Sequence, residues 1–319
     1  MTLEKWIKLP FLKVRTSNLS DFNLPPKYTL RGLLQGHIGM MIAAPDVGKS
    51  HLMLSVAIEH ASSCKLVGLS AQQTPKKTLY ITTEDSIEVV VQRLKEKASI
   101  LNELVLSELD KFLDIAVCKE PFVIPPGSPD QVYIYHERLL VSLKQMFSEY
   151  SLVILDTVTE AIGECDEVKD DRKIKNTFNR LASESGASII LVHHVNKSEI
   201  HGLQKITMAS GAGLTSIMRL TKFLISMSKK DESLSLQFLK ANYLSKEESK
   251  NIPLDWYNNL LVAKHYDQVS IAYPELRMST VHKKRRKISK KVKIEPDSIT
   301  LGGIDDANNK KDEDMRNVL

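Results

Sequence analysis

The stretch from His37 to Ala61 constrains the fold more than any other part of the chain. His37–Ala43 is a short apolar run of strand length. Ala43-Ala44-Pro45-Asp46-Val47-Gly48-Lys49-Ser50 follows directly, and Lys49–Ala61 then carries Leu52, Leu54, Val56 and Ala57 at helical spacing. A strand, a tight loop and a helix in that order fit the pattern GxxxxGK[ST], with Ala43 in the place of the first glycine. Backbone N–H groups of such a loop, with a helix N-terminus behind them, bind phosphate oxygens. The pattern predicts that residues 44–51 (Ala44, Pro45, Asp46, Val47, Gly48, Lys49, Ser50 and His51) line a nucleotide. Lys49 would reach the β- and γ-phosphates and Ser50 would ligate Mg²⁺. Asp46 is the odd member, because a carboxylate repels phosphate. Asp tolerates left-handed backbone better than most residues, so the loop can form if this side chain points into solvent.

The strand–helix rhythm continues. Thr78–Thr82 and Asp114–Val117 read as strands, Ile87–Ala98 and Val132–Phe147 as helices, and Pro121–Asp130 as a proline-rich loop. Asp85 is the candidate N-cap of the first of these helices, with Glu88 three residues on in a capping-box pattern. Leu152–Leu155 is an apolar strand ending in Asp156. A helix over Asp170–Glu184 is closed by Gly186, and Ser188–Val192 is a further apolar strand. Short apolar strands alternating with helices predict an α/β fold with a parallel sheet covered on both faces. After Arg219, Phe223–Met227, Ser233–Lys240 and Asn251–Ala263 read as consecutive strands, an antiparallel extension of that sheet.

Several polar residues sit at the carboxyl ends of these strands, where open α/β sheets bind ligands. Asp156 has the Walker-B position and can hold Mg²⁺ through its waters. Glu84 ends the second strand and can accept a proton from a water aimed at a γ-phosphate, with Asp85 left as helix cap. His193 and His194 follow the next strand. Strand alternation sends them to opposite faces, so one can sense the γ-phosphate while the other packs or caps. No third ligand at useful spacing supports a histidine metal site.

Composition sets the outer limits. The chain has 319 residues, 42% hydrophobic and 26% charged, which excludes a wholly disordered or collagen-like molecule. No apolar run approaches the roughly 20 residues of a membrane helix. Met1–Pro10 carries Glu4 and two lysines, so no secretory signal is read there. Three widely spaced cysteines argue against a disulfide scaffold and for a reducing, cytoplasmic setting. The net charge of +5 is concentrated in one place. Lys283–Lys293 holds eight basic residues and no acid, and Ile294–Leu319 holds seven acids against three bases, which leaves +1 for the first 282 residues. The predicted organisation is an arm over 1–30, an ATPase core over 31–270, and a basic-then-acidic, disordered tail over 271–319. The basic run lacks aromatic residues to stack on bases, so its expected contact with nucleic acid is electrostatic and blind to sequence.

These landmarks together resemble the RepA-type hexameric replicative helicases of broad-host-range plasmids, within the RecA/DnaB-like ATPases. The similarity runs from Asp21-Phe22-x-Leu24-Pro25 through Gly36–Gly39, Gly48-Lys49-Ser50, Glu84-Asp85 with Arg93-Leu94, Leu155-Asp156-Thr157 and His193-His194-x-x-Lys197. It continues through Ala209-Ser210 to Arg219 and ends with Lys240-Ala241-Asn242-Tyr243 and the residues up to about Asp267. The resemblance implies a RecA-like core, a ring of six subunits with ATP and Mg²⁺ between neighbours, single-stranded DNA in the ring, and a replication initiator or primase as a further partner, with no membrane. It assigns catalysis to Glu84, Mg²⁺ to Ser50 and Asp156, and γ-phosphate sensing to His193 or His194. Arg219 becomes the arginine finger acting on the neighbour's ATP, and Lys240, near the subunit interface, is counted with the nucleotide-binding residues. Loops between Glu160 and Lys169 and between Lys197 and Met208 would face DNA, with Lys197 and Lys205 as the visible bases. Two departures are Asp46 and the glycine-rich Gly211-Ala212-Gly213. A nucleotide-binding DNA regulator that hydrolyses little, and a recombination-mediator ATPase that builds filaments, are the alternatives.

Overall fold

The computed structural model describes residues 25–195, 214–230 and 233–264. All of them belong to one compact unit, Met1–Leu276. The Asp21-Phe22 landmark, the loop bases Lys197 and Lys205, the glycine-rich 211–213 and the tail run 283–293 lie outside the described residues.

The fold is built on parallel strands whose carboxyl ends lie side by side. Among the described residues one sheet runs β11-β10-β9-β8-β3-β7-β6-β4-β5. Its parallel part consists of β3 (Ile38–Ala43), β4 (Thr78–Thr82), β5 (Leu113–Val117), β6 (Leu152–Asp156), β7 (Ser188–His194) and β8 (Phe223–Lys230). Then β9 (Ser233–Ala241), β10 (Ile252–Tyr257) and β11 (Leu260–Ala263) extend it antiparallel. This is the expected α/β architecture, a mainly parallel sheet with antiparallel C-terminal strands. Asn251–Ala263, expected as one strand, is a hairpin. Asn258 and Asn259 both take positive φ at its tip, a conformation asparagine tolerates better than most residues.

The central strand β3 is buried at every position, as a strand with helices on both faces must be. Its alternation splits the core in two. Met41 and Ala43 join Tyr80, Ile154, Ile190 and Val192 beneath α1 (Lys49–Ala61). Met40 and Ile42 join Leu79, Ile81, Val153, Leu155 and Leu191 on the opposite face, packed with Phe147 of α4 (Asp130–Phe147), Val158 of α5 (Val158–Ala161) and Phe178 of α6 (Asp171–Ser185). Gly39 in β3 is there for close approach. A Cβ on it would lie 2.7 Å from Phe223 Cδ1 and 2.8 Å from Ile190 Cδ1.

Three local expectations change. Tyr28–Leu30 forms β1 and pairs antiparallel with β2 (Leu33–Leu34), burying Thr29 and Leu30, so the arm ends in a strand. Glu103–Phe112, a stretch with no expected element, is a helix, α3, capped by the Asn102 side chain, which accepts from Val105 N at 2.9 Å. Ser86, not Asp85, is the N-cap of α2 (Ile87–Ala98). The Asp85 carboxylate pairs instead with Arg93 two turns along the helix. A guanidinium fork binds a carboxylate better than one backbone N–H does, and the shift takes Glu88 out of capping-box register.

Candidate nucleotide site

Register brings the polar residues together. Ala43 pairs with His194, Thr82 with Asp156, and Asp156 with Val192. Tyr80 and Thr82, Ile154 and Asp156, and Val192 and His194 have the parity that faces α1, the helix that begins at the loop. The two-residue period of each strand therefore aims Asp156 and His194 at the same side as Lys49.

The loop has the conformation its sequence demands. Gly48 is the N-cap of α1 at φ 101°, and Asp46 sits at φ 60°, both left-handed. The Asp46 side chain is exposed, which keeps its charge in solvent. Lys49 is only 6% exposed. Its Nζ donates to Ala44 O at 3.1 Å and lies 2.9 Å from His194 Nδ1. Burial pushes the lysine pKa down, while Asp156, Glu84 and Asp46 pull it back up.

Asp156 is the most buried carboxylate of the group. Burial raises its pKa, and hydrogen bonds from the Tyr80 and Ser50 hydroxyls oppose the rise. Tyr80 donates to Oδ2, and its burial, together with the Asp156 carboxylate, holds the Tyr80 phenol well above its ordinary pKa. Oδ1 is buried without a hydrogen-bond partner among the described residues. An uncommitted carboxylate oxygen beside a serine hydroxyl suits a hard cation or its waters, so the donors present fit Mg²⁺.

Glu84 is held from two sides. Thr157 Oγ1 donates to Glu84 Oε1 at 2.7 Å, and His194 Nε2 lies 3.5 Å from the same oxygen. Thr83 and Thr157 brace one another: Thr83 Oγ1 donates to Thr157 O at 2.8 Å and accepts from Thr157 N at 2.9 Å. Lys119, just past β5, donates to the carbonyls of Thr83 (2.8 Å) and Glu84 (3.2 Å). Thr157 stands in the Leu155-Asp156-Thr157 landmark without an assigned role, and Tyr80 and Lys119 carry no sequence signal of their own. Thr157 adjoins Asp156, which is a signal; Lys119 and Tyr80 acquire their roles only through strand pairing.

The two histidines separate. His194 bridges Lys49 and Glu84. His193 is 2% exposed on the opposite face, with Nδ1 3.2 Å from Thr159 Oγ1 and 3.9 Å from Glu167. The expectation that either could touch phosphate narrows to His194, because alternation along β7 leaves His193 beneath the sheet. Arg219 is exposed at the end of α7 (Thr215–Leu220), and Lys240 donates to its carbonyl oxygen. Among the described contacts, neither residue touches Lys49, Glu84 or Asp156 of its own chain.

No curated protein matches the chain. Among solved structures, the RadB recombinase is similar at 14% identity and a TM-score of 0.43, over 71% of this chain and 90% of that one. No helix among the described residues is long and apolar enough to cross a membrane. A family profile described as AAA domain matches residues 7–199, more than half of the sequence and the part that carries the loop, Glu84, Asp156 and His194. With the phosphate loop and its facing carboxylates in place, the chain belongs to the AAA domain family and is a P-loop ATPase.

Proposed function

We propose that this chain is an ATP-driven DNA translocase, a helicase of the RepA type working as a ring in plasmid or mobile-element replication. The observation that carries the catalytic half is the convergence of Lys49, Glu84, Asp156 and His194 at the carboxyl ends of adjacent strands β3, β4, β6 and β7. The run of sequence landmarks from Asp21 to Tyr243 supports the replicative half.

In the proposed reaction Glu84 takes a proton from water as the water oxygen bonds to the γ-phosphorus, and the bond to the β-γ bridging oxygen breaks to leave ADP and phosphate. Thr157 holds one carboxylate oxygen of Glu84, leaving the other to receive that proton. Lys49 supplies positive charge to the β- and γ-phosphates; of the three N–H donors of its ammonium, Ala44 O and His194 Nδ1 occupy two. Asp156 and Ser50 would hold Mg²⁺, which when bound neutralises charge developing on the phosphate oxygens. Arg219, exposed and without a contact to its own loop among the described residues, is proposed to act on a neighbouring subunit's nucleotide. Its fixed charge and planar donor fork suit that task.

The test is ATP turnover with and without single-stranded DNA, on protein whose mass in solution is measured in parallel. DNA-stimulated hydrolysis by a six-subunit species, with unwinding of a forked duplex, is the expected result. Hydrolysis by an open filament would favour the recombination-mediator alternative. Nucleotide and DNA binding with negligible turnover would favour the regulator.

A further inference from the structure

On the flank of the phosphate loop away from Glu84, the β10–β11 hairpin places an indole against the loop. Trp256 Cζ2 lies 3.2 Å from the point where a Cβ on Gly48 would stand. The ring meets His51 edge-on, with centroids 5.2 Å apart and planes at 76°. The rest of the indole is open: Trp256 is 43% exposed. The wall behind it is braced. Lys97 Nζ lies 3.2 Å from His51 Nδ1 and donates to the Asn259 carbonyl at the hairpin tip, while Asn259 Nδ2 donates to Glu96 at 3.1 Å.

Topology gives this surface its orientation. Asp156 and His194 end β6 and β7 and Glu84 lies just past β4, all on one side of β3. Trp256 stands on β10, on the other side beyond β8 and β9. A triphosphate whose γ end meets Lys49 and Glu84 therefore leads its α-phosphate past Ser50 toward His51, and whatever is attached to it toward the indole. We propose that Trp256, steadied by His51, is the platform on which the base of a bound nucleoside triphosphate stacks. The proposal rests on the reading of the loop as a nucleotide site. Every base has a π face, and stacking tolerates base identity. The ligand class is then nucleoside triphosphates, purines ahead of pyrimidines for their larger face, with little discrimination between adenine and guanine.

The experiment compares ATP with inorganic tripolyphosphate, both with Mg²⁺, on the full chain. Trp256→Ala is expected to weaken ATP binding about tenfold, the range of one base stacked on one aromatic ring, while competition by tripolyphosphate stays within about twofold. Trp256→Phe should recover most of the loss. In a Trp6→Phe background the remaining Trp256 emission should be quenched by ATP and not by tripolyphosphate. An equal loss of both ligands in Trp256→Ala would mean that the indole only shapes the loop, and would overturn the proposal. So would unchanged ATP affinity, or quenching by tripolyphosphate alone. Failure of the underlying reading looks different: Lys49→Ala would then bind ATP as the parent does, or the parent would bind neither ligand.

Discussion

Glu84 illustrates how a residue's neighbours decide its usefulness. A carboxylate at a strand end swings freely unless something holds it, and Thr157, His194 and the Lys119 clamp on the carbonyls of residues 83 and 84 supply that hold. Glu84→Gln should keep ATP affinity and lose hydrolysis by roughly 10²–10⁴-fold, the usual contribution of a positioned general base; unchanged single-turnover rates would remove Glu84 from the mechanism. Thr157→Val should lower kcat by about tenfold with little change in KM, because a hydrogen bond to a charged group contributes roughly 1.5–3 kcal/mol. A KM effect alone would make Thr157 a binding residue instead. Lys97 offers a test of stability rather than chemistry. Burial, the dominant cause, brings its pKa to about 8 from an ordinary 10.5. Between those values the unfolded chain binds a proton that the folded chain does not, so stability contributed by this site rises with pH across about 8 to 10.5. In denaturant titrations the parent should gain on a Lys97→Met variant across that window, by at most about 3 kcal/mol. A flat difference would mean that the lysine keeps its ordinary pKa.

Among the elements, β3 has the least freedom to change. It is central, fully buried, and carries the phosphate loop at its end. Gly39→Ala would drive a methyl to within 3 Å of Phe223 and Ile190 ring and methyl carbons. Overpacking of this kind costs about 1–3 kcal/mol, which thermal melting should register as a lower Tm with ATP affinity reduced in step. Parallel sheets also explain what was legible element by element. Lys49–Ala61, Thr78–Thr82 and Ile87–Ala98 have the boundaries read from the sequence, because uninterrupted apolar runs and helical spacing leave one assignment each. Helix α3 was legible too, with Val105, Leu106, Leu109 and Phe112 at helical spacing behind the Asn102 cap, but its apolar pattern runs without a break into β5 at Leu113. The cap of α2 moved because Arg93, eight residues away, competes for Asp85.

At the scale of the whole molecule, Arg219 has no partner in its own nucleotide site among the described contacts, and the proposed ring gives it one next door. Arg219→Ala and Lys49→Ala should each lack turnover. Mixed subunits should regain part of it, since some interfaces then join an intact finger to an intact loop; mixing that restores nothing at any ratio would confine Arg219 to its own subunit. The basic run Lys283–Lys293 belongs to the same scale. Eight phosphate contacts on a single strand would give a salt slope of about −0.7 each, at most about −6. Deleting the chain after Thr280 should therefore weaken DNA binding and flatten that slope, and equal slopes before and after would make the tail a bystander.

The sequence by itself determined the class of fold, the phosphate loop and the identity of its two facing carboxylates, Glu84 and Asp156. Those features are encoded over short distances, in the period of apolar residues and in a loop whose left-handed positions only certain residues accept. Tertiary structure decided which histidine faces the site, since parity along β7 has meaning only once α1 covers one side of the sheet. It also decided the partners that fix Glu84 and Asp156. Thr157, Lys119 and Tyr80 reach them through strand order β6-β4-β5, which no local pattern states. Trp256 is the clearest case: roughly 200 residues separate it from Gly48, and only the antiparallel return of β10 brings its indole to the space a glycine leaves open.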